Sequence, residues 1–147
     1  GGWANIEGGT ITSELKFFTG CNCKNIELTS ENSWKEILNG CKRENIICCR
    51  SKNGNGNSNH NFTSKNNIAN SHAYSILNAK EYKGLRLVKV RNPWGEIEWK
   101  GDFCDNSDLW TDELKNYFEL GVKEDGIFWM KFEDFIIEFF DLVICYC

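Results

Sequence analysis

His72-Ala73-Tyr74-Ser75-Ile76-Leu77 and, after a polar link, Leu85-Arg86-Leu87-Val88-Lys89-Val90-Arg91-Asn92-Pro93-Trp94-Gly95-Glu96-Ile97-Glu98-Trp99 form the stretch on which the fold turns. Residues 72–77 and 85–91 are β-like runs rich in branched apolar residues. The link over 78–84 is polar, with Gly84 near its end, which predicts an antiparallel hairpin. The second run stops at Asn92-Pro93, because proline has no N–H to give to a strand ladder. If the two runs pair, His72 at the start of one and Asn92 at the end of the other meet at one end of a sheet.

Downstream, residues 94–108 are aromatic and acidic with two glycines and read as an ordered loop. Trp110, Leu114, Tyr117 and Phe118 fall on one helical face behind a Thr111/Asp112 cap. Glu124-Asp125-Gly126 is a turn signal. Residues 127–132 read as a strand, 133–140 as a short amphipathic helix and 142–147 as a last strand. Upstream, Gly8-Gly9 reads as a turn. Ser33 and Glu36 have capping-box spacing before an apolar face of Trp34, Ile37 and Leu38, with Gly40 as a stop signal. Residues 46–49 read as a buried strand. Residues 51–70 are dominated by Asn and Gly, too polar to bury a core, and predict a long mobile loop.

A chain of 147 residues, 41% hydrophobic, fits one domain with its own core. Net charge is −4 with no basic block, which argues against a nucleic-acid partner. No apolar stretch reaches transmembrane length, and the first residues resemble no signal peptide. Without an initiating Met, the sequence reads as a piece of a longer protein. The eight cysteines are expected as reduced thiols acting as small hydrophobes, which suits a cytoplasmic setting. A structural metal site from Cys21, Cys23, Cys48, Cys49 and His60 is disfavoured, since Cys-x-Cys and adjacent Cys-Cys are poor zinc spacings. His60, inside the Asn-rich stretch, reads as solvated.

His72 and Asn92 admit two readings on spacing alone. One is a hydrogen-bonded core histidine beside a turn asparagine. The other is catalytic: a histidine carries protons near neutrality and stabilises a thiolate, and an asparagine amide orients its ring without adding charge. Trp94, two residues on, is placed to cover that contact. The acidic residues Glu96, Glu98, Asp102, Asp105, Asp108 and Asp125 likewise fit either a solvated surface or a hard-cation site built from oxygens. The spacing is not that of an EF-hand.

His72-Ala73-Tyr74-Ser75, the string from Arg91 to Trp99, Glu124-Asp125-Gly126-Ile127-Phe128-Trp129-Met130 and Leu142-Val143-Ile144-Cys145 resemble, in order and spacing, the second protease-core subdomain of calpains. Gly8-Gly9 and Phe18-Thr19-Gly20 match the opening of that subdomain more weakly. The resemblance implies an α+β fold: the sheet-rich lobe of a papain-like cysteine protease, a twisted antiparallel sheet with peripheral helices. It also implies that His72, Asn92 and the neighbouring Trp94 are active-site residues of a calcium-dependent cysteine endopeptidase acting on polypeptides. The nucleophilic cysteine would lie in a preceding subdomain, since none of the cysteines here has the required context; alone, the chain would then be inactive. Calcium ligands are implied at Glu98, Asp105, Asp125 and the Lys123 carbonyl, with Ile127 where the family often has another acid and Ser71 where it usually has glycine. A non-catalytic module of the same fold, keeping only calcium or partner binding, is the competing reading.

Overall fold

In the computed structural model, Lys83 and Gly84 alone turn the chain back on itself, both with positive φ (49° and 82°). That two-residue turn suits the twist of a hairpin, and it sets the register Tyr82↔Leu85. The first strand therefore runs through the polar stretch read as a link: the elements are β3 (Ala73–Tyr82) and β4 (Leu85–Arg91). The polar residues are tolerated because they find partners. The Lys80 ammonium, for example, donates to the Tyr117 carbonyl and pairs with Glu119.

The structure describes residues 10–29, 31–53, 63–121 and 123–147. Within them the chain runs α1 (Ile11–Thr19), β1 (Asn22–Glu27), α2 (Glu31–Lys42), β2 (Ile46–Ser51), the β3–β4 hairpin, α3 (Asp112–Phe118), β5 (Ile127–Lys131), α4 (Phe132–Glu138) and β6 (Phe139–Tyr146). One six-stranded sheet is ordered β1-β6-β2-β3-β4-β5, and every neighbouring pair is antiparallel. This is the α+β lobe expected. Gly8-Gly9 and His60 lie outside the described residues.

One face of the sheet is covered by helices, and the other is covered at its β4–β5 end. On one, Trp34 and Ile37 of α2 and Phe132 and Phe135 of α4 pack on Ile47, Val88, Val90, Phe128, Met130, Leu142 and Ile144. On the other, Leu87 and Trp129 meet Phe103, Trp110 and Phe118. The alternation of side chains along β4 and β5 thus feeds two clusters, which is why those strands read as continuous apolar runs. Tyr117, placed on the same helical face, turns instead onto the Tyr82 ring. No helix among the described residues is long and apolar enough to cross a membrane.

Several expectations change. The Asn-rich stretch is partly ordered: Ser51 closes β2, and Thr63 bridges Ala69 around a tight turn that buries Ile68 and Ala69. Ser33 is not a helix cap but lies in the first turn of α2, where its hydroxyl donates to the Glu27 carbonyl and accepts from the Thr29 N–H. The cysteines divide. Cys41, Cys48, Cys49 and Cys104 are free thiols, whereas Cys21 pairs with Cys147 and Cys23 with Cys145. The β1–β6 register that sets Asn22 opposite Tyr146 and Cys23 opposite Cys145 is the reason. It leaves no shared site for Cys21, Cys23, Cys48 and Cys49.

Candidate active site

His72 sits one residue before β3, and Asn92 one residue after β4. Since Ser75 pairs with Arg91, both side chains emerge at the same end of the sheet. His72 Nε2 lies 3.0 Å from Asn92 Oδ1. Asn92 is fully buried, and its amide has one orientation only. Oδ1 accepts the Trp94 N–H at 3.1 Å. Nδ2 donates to the carbonyls of Glu96 at 2.7 Å and Ile97 at 3.3 Å. Oδ1 is therefore an acceptor, so a neutral His72 must carry its proton on Nε2 and keep Nδ1 as the basic nitrogen.

The backbone of His72 is held by a residue that sequence reasoning assigned to a loop. Ser51 is buried; its Oγ accepts the His72 N–H at 2.9 Å and donates to the Ala69 carbonyl at 2.6 Å. The Ser51 N–H donates to the His72 carbonyl at 3.0 Å. Tyr74 meets the imidazole edge-on at 5.0 Å and accepts the Ala69 N–H at its phenol oxygen. Burial pushes that phenol up to about 12. The Trp94 ring lies over the imidazole, with centroids 3.9 Å apart and planes at 31°. Trp94 is itself 56% exposed, so it caps the pair from the solvent side. Ser71 has φ of 51°, the left-handed region where glycine is unstrained.

The loop after Asn92 is pinned to the turn before β5. The Asn92 N–H donates to the Gly126 carbonyl at 2.8 Å. Glu98 Oε1 accepts the N–H groups of Asp125 at 3.0 Å and Gly126 at 2.7 Å. Glu98, Asp105 and Lys123 line one cavity of about 590 Å³. Asp125 is not among the residues lining it: its N–H goes to Glu98 and its Oδ1 accepts the Ile127 N–H. Asn67 donates to the Glu98 carbonyl at 2.8 Å, which ties the ordered turn at 63–70 to the acidic loop.

Among the described residues, no three acidic, histidine or cysteine side chains lie close enough to enclose a metal ion. Asp105 is nonetheless unusual: both carboxylate oxygens are buried without a hydrogen bond of good geometry, the Lys123 backbone being the nearby donor. Burial first, and then the nearby Glu98 charge, push its carboxyl up to about 6, with the Lys123 backbone and Lys89 pulling the other way. A carboxylate without a good hydrogen bond, beside a second one in an open cavity, fits a hard cation such as calcium. The pKa shift sets a sign. The folded-state value lies above the ordinary 3.8, so the folded state holds the proton more tightly and stability falls as pH rises from about 4 to about 6. Asp105→Asn should therefore stabilise the calcium-free chain at neutral pH by about 1–2 kcal/mol, a figure reduced for its partial exposure. Urea melts at several pH values in chelator would measure it; a gain that stays the same at pH 4 and pH 7 would refute it.

A profile described as calpain family cysteine protease matches residues 1–146. The calpain-1 catalytic subunit of Rattus norvegicus is 36% identical over 154 residues, covering 99% of this chain and 21% of the rat protein. A calpain-type cysteine protease of Arabidopsis thaliana is 32% identical over 156 residues, covering 99% of this chain and 7% of that protein. A calpain of Schistosoma mansoni is 30% identical over 154 residues, covering 99% of this chain and 20% of its own length. The chain thus spans about a fifth or less of these relatives. Matched end to end in this way, the chain belongs to the calpain family of cysteine proteases.

Proposed function

We propose that this chain supplies the histidine–asparagine half of the active site of a calcium-dependent cysteine endopeptidase. The observation that carries the reading is the 3.0 Å contact from His72 Nε2 to an Asn92 amide that three backbone groups hold in one orientation. The nucleophilic thiol comes from the preceding subdomain of the parent chain. His72 Nδ1 takes its proton, and the resulting imidazolium stabilises the thiolate. Asn92 keeps the ring edge-on to the cleft while the charge on His72 changes. After attack on the polypeptide carbonyl, the same nitrogen returns the proton to the leaving amine. Trp94 and Tyr74 keep water from the back of the ring, which strengthens the His72–Asn92 bond.

Glu98, Asp105, Asp125 and the Lys123 carbonyl would hold calcium, which supplies positive charge to neutralise the gathered carboxylates. Glu98 already binds the turn at Asp125-Gly126, and Gly126 binds Asn92. The acidic loop therefore connects to the catalytic asparagine through one turn, and Trp94 is the side chain placed to move with it. A cytoplasmic location and polypeptide substrates complete the reading.

The test joins this chain to its preceding subdomain and follows cleavage of a fluorogenic peptide. Turnover should appear with calcium and vanish with chelator, and this chain alone should give none. A joined core with its cysteine intact that stays inactive in excess calcium would overturn the proposal.

A further inference from the structure

The four paired cysteines occupy one place and are not equivalent. Cys23 lies on edge strand β1 with Cys21 one residue before the strand begins, and Cys145 lies on β6 with Cys147 one residue past its end, so the two extended pairs project all four from one face. Cys21 and Cys23 are both half-buried, but Cys145 is fully buried whereas Cys147 is exposed. The inner bond is therefore the more shielded and the outer one the more open to small molecules, through Cys147.

Chain topology separates them further. The two bonds close nearly the same loop, with separations of 122 and 126 residues. Once the inner bond has closed it, the outer one restrains only two further residues on each strand. It can therefore break without releasing the sheet. What it does restrain is α1. That helix ends at Thr19, with Gly20 as its left-handed cap and Cys21 immediately after. It has no buried residue, and Phe17 and Phe18 stand more than 80% exposed. Burial alone thus holds α1 weakly; the outer bond fixes its end to β6.

We propose that Cys21–Cys147 is a thiol–disulfide exchange site, taking small dithiols and disulfides as its reactants, that docks and releases α1, while Cys23–Cys145 is a permanent staple. In reduction, a thiolate of the dithiol attacks one sulfur of the pair, forms a mixed disulfide and expels the other cysteine as a thiolate. The dithiol's second sulfur then displaces the remaining cysteine and closes its own disulfide. Two electrons and two protons pass to Cys21 and Cys147. A small disulfide such as oxidised glutathione reverses this, leaving as two thiols. Of the free thiols, Cys41, Cys48 and Cys49 are held back from forming thiolate by burial.

The experiment treats the 147-residue chain, folded in a glutathione redox buffer, with increasing dithiothreitol. It is then quenched, its thiols are alkylated under denaturing conditions and mapped by mass, and amide exchange is followed in parallel. Without reductant, only Cys41, Cys48, Cys49 and Cys104 should label. At low reductant, Cys21 and Cys147 should join them. Exchange over residues 11–21 should then rise at least about tenfold, with β2–β6 unchanged. Cys23 and Cys145 should label only at reductant levels well above these. Cys21→Ser should show fast exchange over α1 at every reductant level while its melting transition stays cooperative. Labelling of all eight cysteines without reductant, as free or metal-bound thiols would give, overturns the proposal. So does simultaneous opening of both bonds, or an outer bond that opens with no change in α1.

Discussion

Alanine at His72 should lower turnover by the joined protease core on the order of ten-thousandfold or more, as loss of the proton carrier does in nucleophile–histidine enzymes. It should leave the fold nearly untouched. The imidazole is half-exposed and makes one side-chain hydrogen bond, to Asn92. The bonds that place the residue belong to its backbone and to Ser51, and alanine keeps them. Asn92→Ala provides the contrast. It would strip partners from the Trp94 N–H and from the Glu96 and Ile97 carbonyls, so it should cost both activity and about 1–3 kcal/mol of stability. Peptide turnover and urea melts of the two variants distinguish the roles. Calcium-dependent turnover surviving in His72→Ala would remove histidine from the mechanism.

Gly126→Ala should be among the most damaging single changes at the site. Gly126 has φ of +81°, and a Cβ there would lie 2.7 Å from the Asn92 carbonyl oxygen and 2.9 Å from Gly95 Cα. Both neighbours are backbone, so no rotamer can relieve the clash. The expected loss is about 2–4 kcal/mol, combining left-handed strain with overpacking. Function should suffer beyond stability, because the shifted turn carries the carbonyl that accepts the Asn92 N–H and the N–H groups that bind Glu98. Gly84→Ala is the matched control. Its φ is +82°, but nothing lies within 4 Å of the new Cβ, so it should cost only about 1 kcal/mol. Urea denaturation compares them; equal losses would show that the close approach at Gly126 is unimportant.

The parts of the fold legible in advance are those with short-range causes. β4 is legible end to end, because a Leu/Val run ends at a proline-marked stop. α3 follows its Thr111 cap, whose hydroxyl accepts the Leu114 N–H. By contrast, α1 and β1 are not placed by burial: α1 buries nothing, and β1 is an edge strand of mostly exposed residues. Their place comes from pairing with β6 at the far end of the chain. β3 outruns its apolar run because a two-residue turn, not composition, sets where the hairpin closes.

The site divides along the same line. Residue type and spacing place His72, Asn92 and Trp94 at one end of a hairpin and the acids downstream as a group, while their roles are implied only by the family resemblance. Those features depend on local chain direction and on side-chain chemistry, both written in consecutive residues. Spacing cannot reveal that Ser51 clamps His72, that Gly126 presses on Asn92, that Asp105 is left without a good hydrogen bond, or that Cys21 and Cys23 face Cys147 and Cys145. The clamp, the pressing turn and the two cysteine pairs are contacts between segments 21 to 126 residues apart, and the setting of Asp105 likewise depends on what the rest of the fold brings near it. Such contacts depend on strand order and register, which exist only once the whole sheet has assembled.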